Sequence, residues 1–293
     1  MTGLIENFPR GDVVQTQSIY AQPRTVTDPE SCFFYHTIDI PGYGTMNGEW
    51  DLRKGVDRYL GKVDLTGKRV LELGTANGFL CFEMERRGAD VVAVDLSEEH
   101  SWDLVPFAKF EPEEDDSARK SHVRRTNNAW WLGHAAFGSR ASVVYTPAYS
   151  IPEQIGAVDV ATFGSVLLHL RDPFQALWNA CRLTRETVIV TDLLFARDVF
   201  PLNMLDVFQR PAMRFAPNPK TGRPYETWWR LSPKIIKRFL GVLGFESTTV
   251  TYHYQLSTRH RMTLPVPMFT VVGHRTGAGR ALESSNDQPV VAG

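Results

Sequence analysis

From Lys68 onward, short apolar blocks recur along the chain, separated by amphipathic stretches. The blocks predict buried strands at Arg69–Leu73, Val91–Asp95, Ser142–Tyr145, Val158–Phe163 and Thr187–Asp192. Helices are predicted at Gly78–Arg87 and Pro173–Leu183, with a long connection from Leu96 to Ala141. A further helix starts at Ser232, a suitable N-cap, with Pro233 in the first helical position. "STTVTYHYQL" and "MFTVVGHR" read as two last strands joined like a hairpin. Ahead of the first block, a helix is expected over Asp51–Leu60. Strands that are nearly all Val, Ile, Leu and Ala are covered on both faces, which is the habit of parallel sheets. The pattern therefore predicts an α/β fold: a doubly wound, mostly parallel, seven-stranded sheet with helices on both faces.

Around this core the chain divides unevenly. Residues 1–50 form an N-terminal arm and lid segment, and residues 51–275 form one domain. Within it, residues 193–231 are a cap insertion, too long for a plain connection. Residues 276–293 read as a disordered tail.

Composition narrows the picture. The chain has 293 residues, 43% of them hydrophobic and 22% charged, with a formal net charge of -1. That is an ordinary globular balance, and a polyanionic partner would need a local basic patch. Cys32, Cys81 and Cys181 have no metal-ligand or disulfide-framework spacing, so no metal is expected. The start has no signal-peptide pattern, and no run approaches ~20 apolar residues. The expected location is the cytoplasm. The expected partner is a small molecule rather than a membrane or nucleic acid, in a monomer or homodimer.

The candidate chemistry sits after the first strand, on the turn Gly74-Thr75-Ala76-Asn77-Gly78. A dinucleotide fingerprint needs a second glycine so that the backbone can approach a pyrophosphate. Ala76 stands there instead, which favours a ligand without phosphate. Glu72, just before the turn, can meet an ammonium group. Asp95 ends the second strand about twenty residues on, the place of a carboxylate that accepts ribose hydroxyls, with Leu96 beside it. Amides at the following helix start can meet a carboxylate.

With "VLELGTANG", "VVAVD" and "VDVATFGSVLLHLRDP", the sequence resembles the class I S-adenosylmethionine-dependent methyltransferases. The last stretch is similar to a region of the bacterial wobble-uridine carboxymethyltransferase group. "YHTIDIPGYGTMNGEWDLR" is similar to the lead-in of a subgroup of bacterial methyltransferases. The resemblance implies the class I methyltransferase fold and S-adenosyl-L-methionine as cofactor. It places Ala148 and Tyr149 beside the adenine, and Gly164 and Ser165 beside the methionine part. The function expected is methyl transfer to a small-molecule hydroxyl, of a natural product, sugar or phenol. The alternatives are a tRNA-modifying (carboxy)methyltransferase and a non-catalytic S-adenosyl-binding domain.

Other residues remain open between site and scaffold. His169 titrates near neutrality and suits a general base, with His36 as a second candidate. Tyr35, with His36, Asp39 and Trp50, belongs to the lead-in that would fold over the cofactor mouth. In the cap, Arg214, Tyr225, Trp228 and Trp229 are candidate acceptor contacts, with Arg210 and Arg223 as further cations. Asn127, Trp130, Trp131 and His134 recur at helical spacing, with one tryptophan assigned to the core. "FEPEEDDSARKSHVRR" reads as a self-pairing surface segment; its Arg119, Lys120, Arg124 and Arg125 are where an RNA-binding patch would arise.

Overall fold

The computed structural model describes residues 18–109, 116–194, 210–259 and 262–276. Residues 195–209 of the cap insertion, the tail from 277 and the first 17 residues of the arm lie outside the described residues.

The apolar blocks pair as five parallel strands along one side of a single sheet, out to its edge. These are β4 (Arg69–Leu73), β5 (Asp90–Asp95), β6 (Ser142–Tyr145), β7 (Val158–Gly164) and β8 (Thr184–Leu193). A hairpin of β11 (Ser247–Arg259) and β12 (Met262–His274) joins antiparallel to β8. The edge strand β3 (Trp50–Asp51) pairs antiparallel with β11, giving the order β3-β11-β12-β8-β7-β4-β5-β6. The sheet thus has eight strands, one more than the apolar pattern predicts.

The extra strand also corrects the helix expected over Asp51–Leu60. Trp50 and Asp51 are drawn into the sheet opposite Ser257 and Leu256. Only a four-residue helix, α1 (Val56–Tyr59), remains after the Gly55 N-cap. A two-residue strand carries no periodicity, so only the pairing reveals it.

The connection after β5 holds α3 (Asp116–Phe137), a 22-residue helix that the sequence pattern did not place. Its first turns are charged and polar. Asp116 pairs with Lys120 at 2.8 Å and Arg119 at 3.6 Å, the helical i,i+4 and i,i+3 spacings. Further along, both tryptophans turn inward into the core, Trp130 and Trp131 being 1% and 3% exposed, and Trp131 also borders a cavity against Pro23–Thr27 of the arm. His134 stacks on Trp130.

Two cores cover the sheet. One packs α2 (Phe79–Arg86), α3 and the lead-in strands β1 (Ile38–Ile40) and β2 (Gly44–Met46) on one face. The other packs α4 (Pro173–Cys181) and α5 (Pro233–Val242) on the opposite face. Pro173 and Pro233 open their helices behind Asp172 and Ser232, whose side chains accept from Gln175 N (2.9 Å) and Ile235 N (3.3 Å). A small antiparallel pair, β9 (Met213–Phe215) and β10 (Trp229–Leu231), forms the described part of the cap. No helix among the described residues is long and apolar enough to cross a membrane.

β4 pairs with β5 on one side and β7 on the other. Strand order therefore reverses at β4, and a ligand crevice is expected at its carboxyl end. That is where open α/β sheets bind ligands.

Candidate active site

The turn after β4 holds its shape through left-handed backbone. Gly74, Ala76 and Gly78 have φ of 77°, 49° and 83°. A Cβ on Gly78 would lie 2.5 Å from Phe82 and 2.8 Å from Trp130, so glycine is needed for space as well as for φ. Ala76 has no such excuse. Left-handed φ costs an alanine about 1 kcal/mol, and the Asp95 carboxylate offsets it. Ala76 N donates to Asp95 Oδ2 at 2.7 Å, and Leu96 N donates to Oδ1 at 2.8 Å. Burial raises the Asp95 carboxyl and these two amides pull it back. A carboxylate has about four acceptor sites, so two remain for a ligand. Leu96 O in turn accepts from Asn127 Nδ2 at 2.9 Å.

Glu72 lies under the turn, 1% exposed. No hydrogen bond of normal geometry reaches its oxygens among the described residues, although the Thr75 hydroxyl lies close enough to pull the carboxyl down a little. Burial pushes the Glu72 carboxyl up to about 8. A buried carboxylate left this way costs stability, and native proteins keep such groups where a ligand completes them.

Asn77 does not face the crevice. Its buried amide grips the lead-in: His36 N donates to Oδ1 at 2.8 Å and Nδ2 donates to His36 O at 3.0 Å. The lead-in is thereby fastened to the turn, with Tyr35 packed edge-on to the His36 ring. Asn77→Ala leaves both backbone groups buried and unpaired, a loss of about 2 kcal/mol. Denaturant unfolding should show it, and Asn77→Asp should recover part through the retained acceptor.

The end of β7 forms the other wall. Gly164 is bare because a Cβ would meet the Tyr59 hydroxyl at 3.0 Å. Ser165 has φ 52°; its amide donates to Thr191 O at 2.7 Å, and its hydroxyl lies 3.3 Å from that of Tyr59. Two non-glycine residues in left-handed backbone, Ala76 and Ser165, thus flank one crevice. Such strain gathers at functional sites.

His169 follows on a short 3-10 turn (Leu167–His169). Its Nδ1 meets Glu226 O at 2.5 Å. A carbonyl accepts only from N–H, so the neutral ring carries its hydrogen on Nδ1 and keeps a lone pair on Nε2. Burial lowers its pKa, so the ring is neutral at pH 7. His36 is sealed, 7% exposed with Nδ1 unpartnered among the described residues, and burial takes its pKa down to about 4.

Tyr149 and the cap meet at a residue that the sequence did not flag, Asp103. Tyr149 OH donates to Asp103 Oδ2 at 2.5 Å, as does Arg171 N at 2.7 Å. The indole N–H of Trp228 donates to Asp103 O. Trp228 is therefore a buried strut, 7% exposed, rather than an acceptor contact. Trp229 donates to Arg171 O at 2.9 Å and packs against Phe215. Tyr225 O takes the amide of Val105 at 2.8 Å. Arg214 stands opposite Arg230 on β9 and β10, and both are exposed, as are Arg210 and Arg223. Ala148 follows β6 on the same edge, its carbonyl held by Asn179 Nδ2 at 3.2 Å. Asp39 is exposed and bound to Arg53 at 2.9 Å. Trp50 is buried in the core. Among the described residues no group of three or more His, Cys, Asp and Glu is arranged for a metal ion.

A family model described as a methyltransferase domain matches residues 47–242. The chain belongs to that methyltransferase family. The magnesium-protoporphyrin O-methyltransferase of Rhodobacter capsulatus is 50% identical over 46 residues, 16% of this chain and 19% of that protein. The match thus spans about a fifth of that relative. The N-terminal domain of EvdMO1, crystallised with S-adenosylhomocysteine and D-fucose, superposes with a TM-score of 0.52 at 17% identity, covering 85% of this chain and 93% of that one. That likeness establishes the fold. The magnesium protoporphyrin IX methyltransferase of Synechocystis PCC 6803 gives 0.46 at 13% identity, over 76% of this chain and 81% of that one.

Proposed function

We propose that the protein transfers a methyl group to a hydroxyl of a small molecule, such as a natural product, sugar or phenol. The observation that carries the cofactor side is Glu72, a buried carboxylate whose oxygens accept no hydrogen bond of normal geometry among the described residues, beneath a turn that folds back onto Asp95. S-adenosylmethionine supplies an electrophilic methyl group on a sulfonium centre. Glu72 would hold its ammonium, Asp95 its ribose hydroxyls, and the bare Gly74 and Gly164 leave room for the chain between them. Ala148 and Tyr149 would border the adenine.

The protein's own contribution is alignment and the exclusion of water. The cap and lead-in would close the crevice with aromatic side chains, and Trp228, whose indole N–H donates to Asp103 O, ties the described part of the cap to the loop carrying Asp103. Of the two histidines, His169 fits a base better, because Nε2 keeps its lone pair and no other group claims it.

A small acceptor is favoured over RNA by the fate of the basic run. Arg119 is buried beside Asp116, Lys120 also pairs with Asp116, and Arg125 donates to Cys32 O at 3.0 Å. A fold relative crystallised with a sugar agrees with a small acceptor. Mass-spectrometric screening of hydroxyl-bearing small molecules beside bulk tRNA, with S-adenosylhomocysteine release as readout, tests this. Turnover should appear with a small molecule and change less than about twofold between 50 and 200 mM salt. Release that depends on tRNA and falls about a thousandfold over that salt range would overturn it.

A further inference from the structure

The carboxyl edge holds a second buried carboxylate that neither the sequence pattern nor the family places in the site. Asp192 ends the buried run of β8 and is 1% exposed. Its Oδ1 accepts from Leu193 N at 2.7 Å. Its Oδ2 has no hydrogen-bond partner among the described residues.

Three observations fix its place in the crevice. Ser165 N donates to Thr191 O, so Asp192 lies one residue beyond the wall formed by Gly164 and Ser165. The Tyr59 hydroxyl, 3.3 Å from that of Ser165, lies within electrostatic range of both the Asp192 and the Glu72 carboxyls, which stand on opposite faces of the sheet at its carboxyl edge. Strand alternation puts Asp192 on the face of Val188 and Val190, the core face that also holds Leu167 and Leu231. That is the side of the cap strand β10 and of the turn carrying His169.

Sheet order then assigns roles along the edge. The ribose carboxylate Asp95 sits on β5. Glu72 and Gly164 sit on β4 and β7. β8 comes next, so a ligand running from β5 to β7 points its reacting end at β8. His169 lies four residues past Ser165 and is tied sideways to Glu226. Asp192 is the better-placed hydrogen acceptor.

We propose that Asp192 is a further catalytic residue, whose Oδ2 takes the hydrogen of the attacking atom and so selects acceptors that carry O–H or N–H there. This rests on the methyltransferase reading above. In the step, a lone pair of the acceptor oxygen or nitrogen forms the new bond to the methyl carbon. The sulfur–methyl bond breaks with its electron pair left on sulfur, and the acceptor's proton passes to Oδ2. Burial holds the Asp192 carboxyl at about 7, in range to receive a proton at neutral pH. A carboxylate acceptor would bring like charge against Oδ2, and a carbon nucleophile would leave it unpaired.

The test needs no identified acceptor. Sinefungin is an S-adenosylhomocysteine analogue with an amine where the methyl group sits. Its extra ammonium would meet Oδ2, while the rest of the molecule is common to both ligands apart from a carbon in place of the sulfur. Calorimetry should find sinefungin at least about tenfold tighter than S-adenosylhomocysteine on the wild type. Asp192→Asn, nearly the same shape, should erase that preference and leave S-adenosylhomocysteine within about twofold of wild type. Asp192→Ala serves as a second variant, and either one that melts close to wild type suffices. His169→Ala should keep the preference. A preference that survives loss of the Asp192 charge, disappears with His169, or is absent in the wild type overturns the assignment. A wild type that binds neither ligand overturns instead the cofactor reading on which it rests.

Discussion

Glu72→Gln should make the ligand-free protein more stable at pH 8 by about 4 kcal/mol, while weakening cofactor binding about tenfold. The sign follows from the direction of the shift. The Glu72 carboxyl sits near 4.5 when unfolded and is raised by burial to about 8 when folded. Below pH 4.5 both states hold the proton and the stability is fully present. As pH rises from 4.5 towards 8, the unfolded chain releases its proton first, and folding loses about 1.4 kcal/mol per pH unit. Glutamine keeps the shape and removes the ionisation. Urea titrations from pH 5 to pH 8 should show wild-type stability falling steeply and the variant falling less. Part of the remaining slope belongs to Asp192, which burial raises to about 7, and part to Asp95, which burial also raises. The protein thus carries a destabilising carboxyl group, which in the proposed site would meet an ammonium, a common trade between stability and function.

Asp95→Ala should weaken S-adenosylhomocysteine about a hundredfold or more. Two ribose hydroxyls lose a charged acceptor, each worth about 1.5–3 kcal/mol. The turn suffers as well, because the amides of Ala76 and Leu96 lose their partner. Ala76 then has nothing to offset its left-handed φ. Asp95→Asn keeps one acceptor oxygen and should fall between the two, which separates lost charge from a collapsed turn.

The central strands were legible because a strand buried on both faces is an apolar run, and nothing else in this chain looks like one. The turn was legible for a different reason: glycine and acidic residues at fixed offsets mark a backbone that must bend and bind. Helix α3 was hidden by its charged first turns, whose acid-base run reads as a solvated loop until the Asp116–Lys120 pairing places it on a helix. Trp50 and Asp51 read as the threshold of a helix because strand pairing with β11 leaves no local trace. The cap tryptophans were read as ligand contacts from their aromatic character. Their indole N–H groups go to Asp103 O and Arg171 O, partners distant in sequence. Asn77 sits in a binding motif yet spends its side chain on His36. Asp192 carried one weak signal, a carboxylate at the carboxyl end of a buried strand. That its Oδ2 lacks a partner among the described residues is a property of the packed structure alone.

The most direct test of the whole account is calorimetric titration of the purified protein with S-adenosylhomocysteine, with Asp95→Ala measured alongside. The account predicts micromolar, one-to-one binding by the wild type and none detectable in the variant at the same concentrations. Equal affinity in the two proteins, or a wild type that ignores S-adenosylhomocysteine and binds NAD, would contradict it.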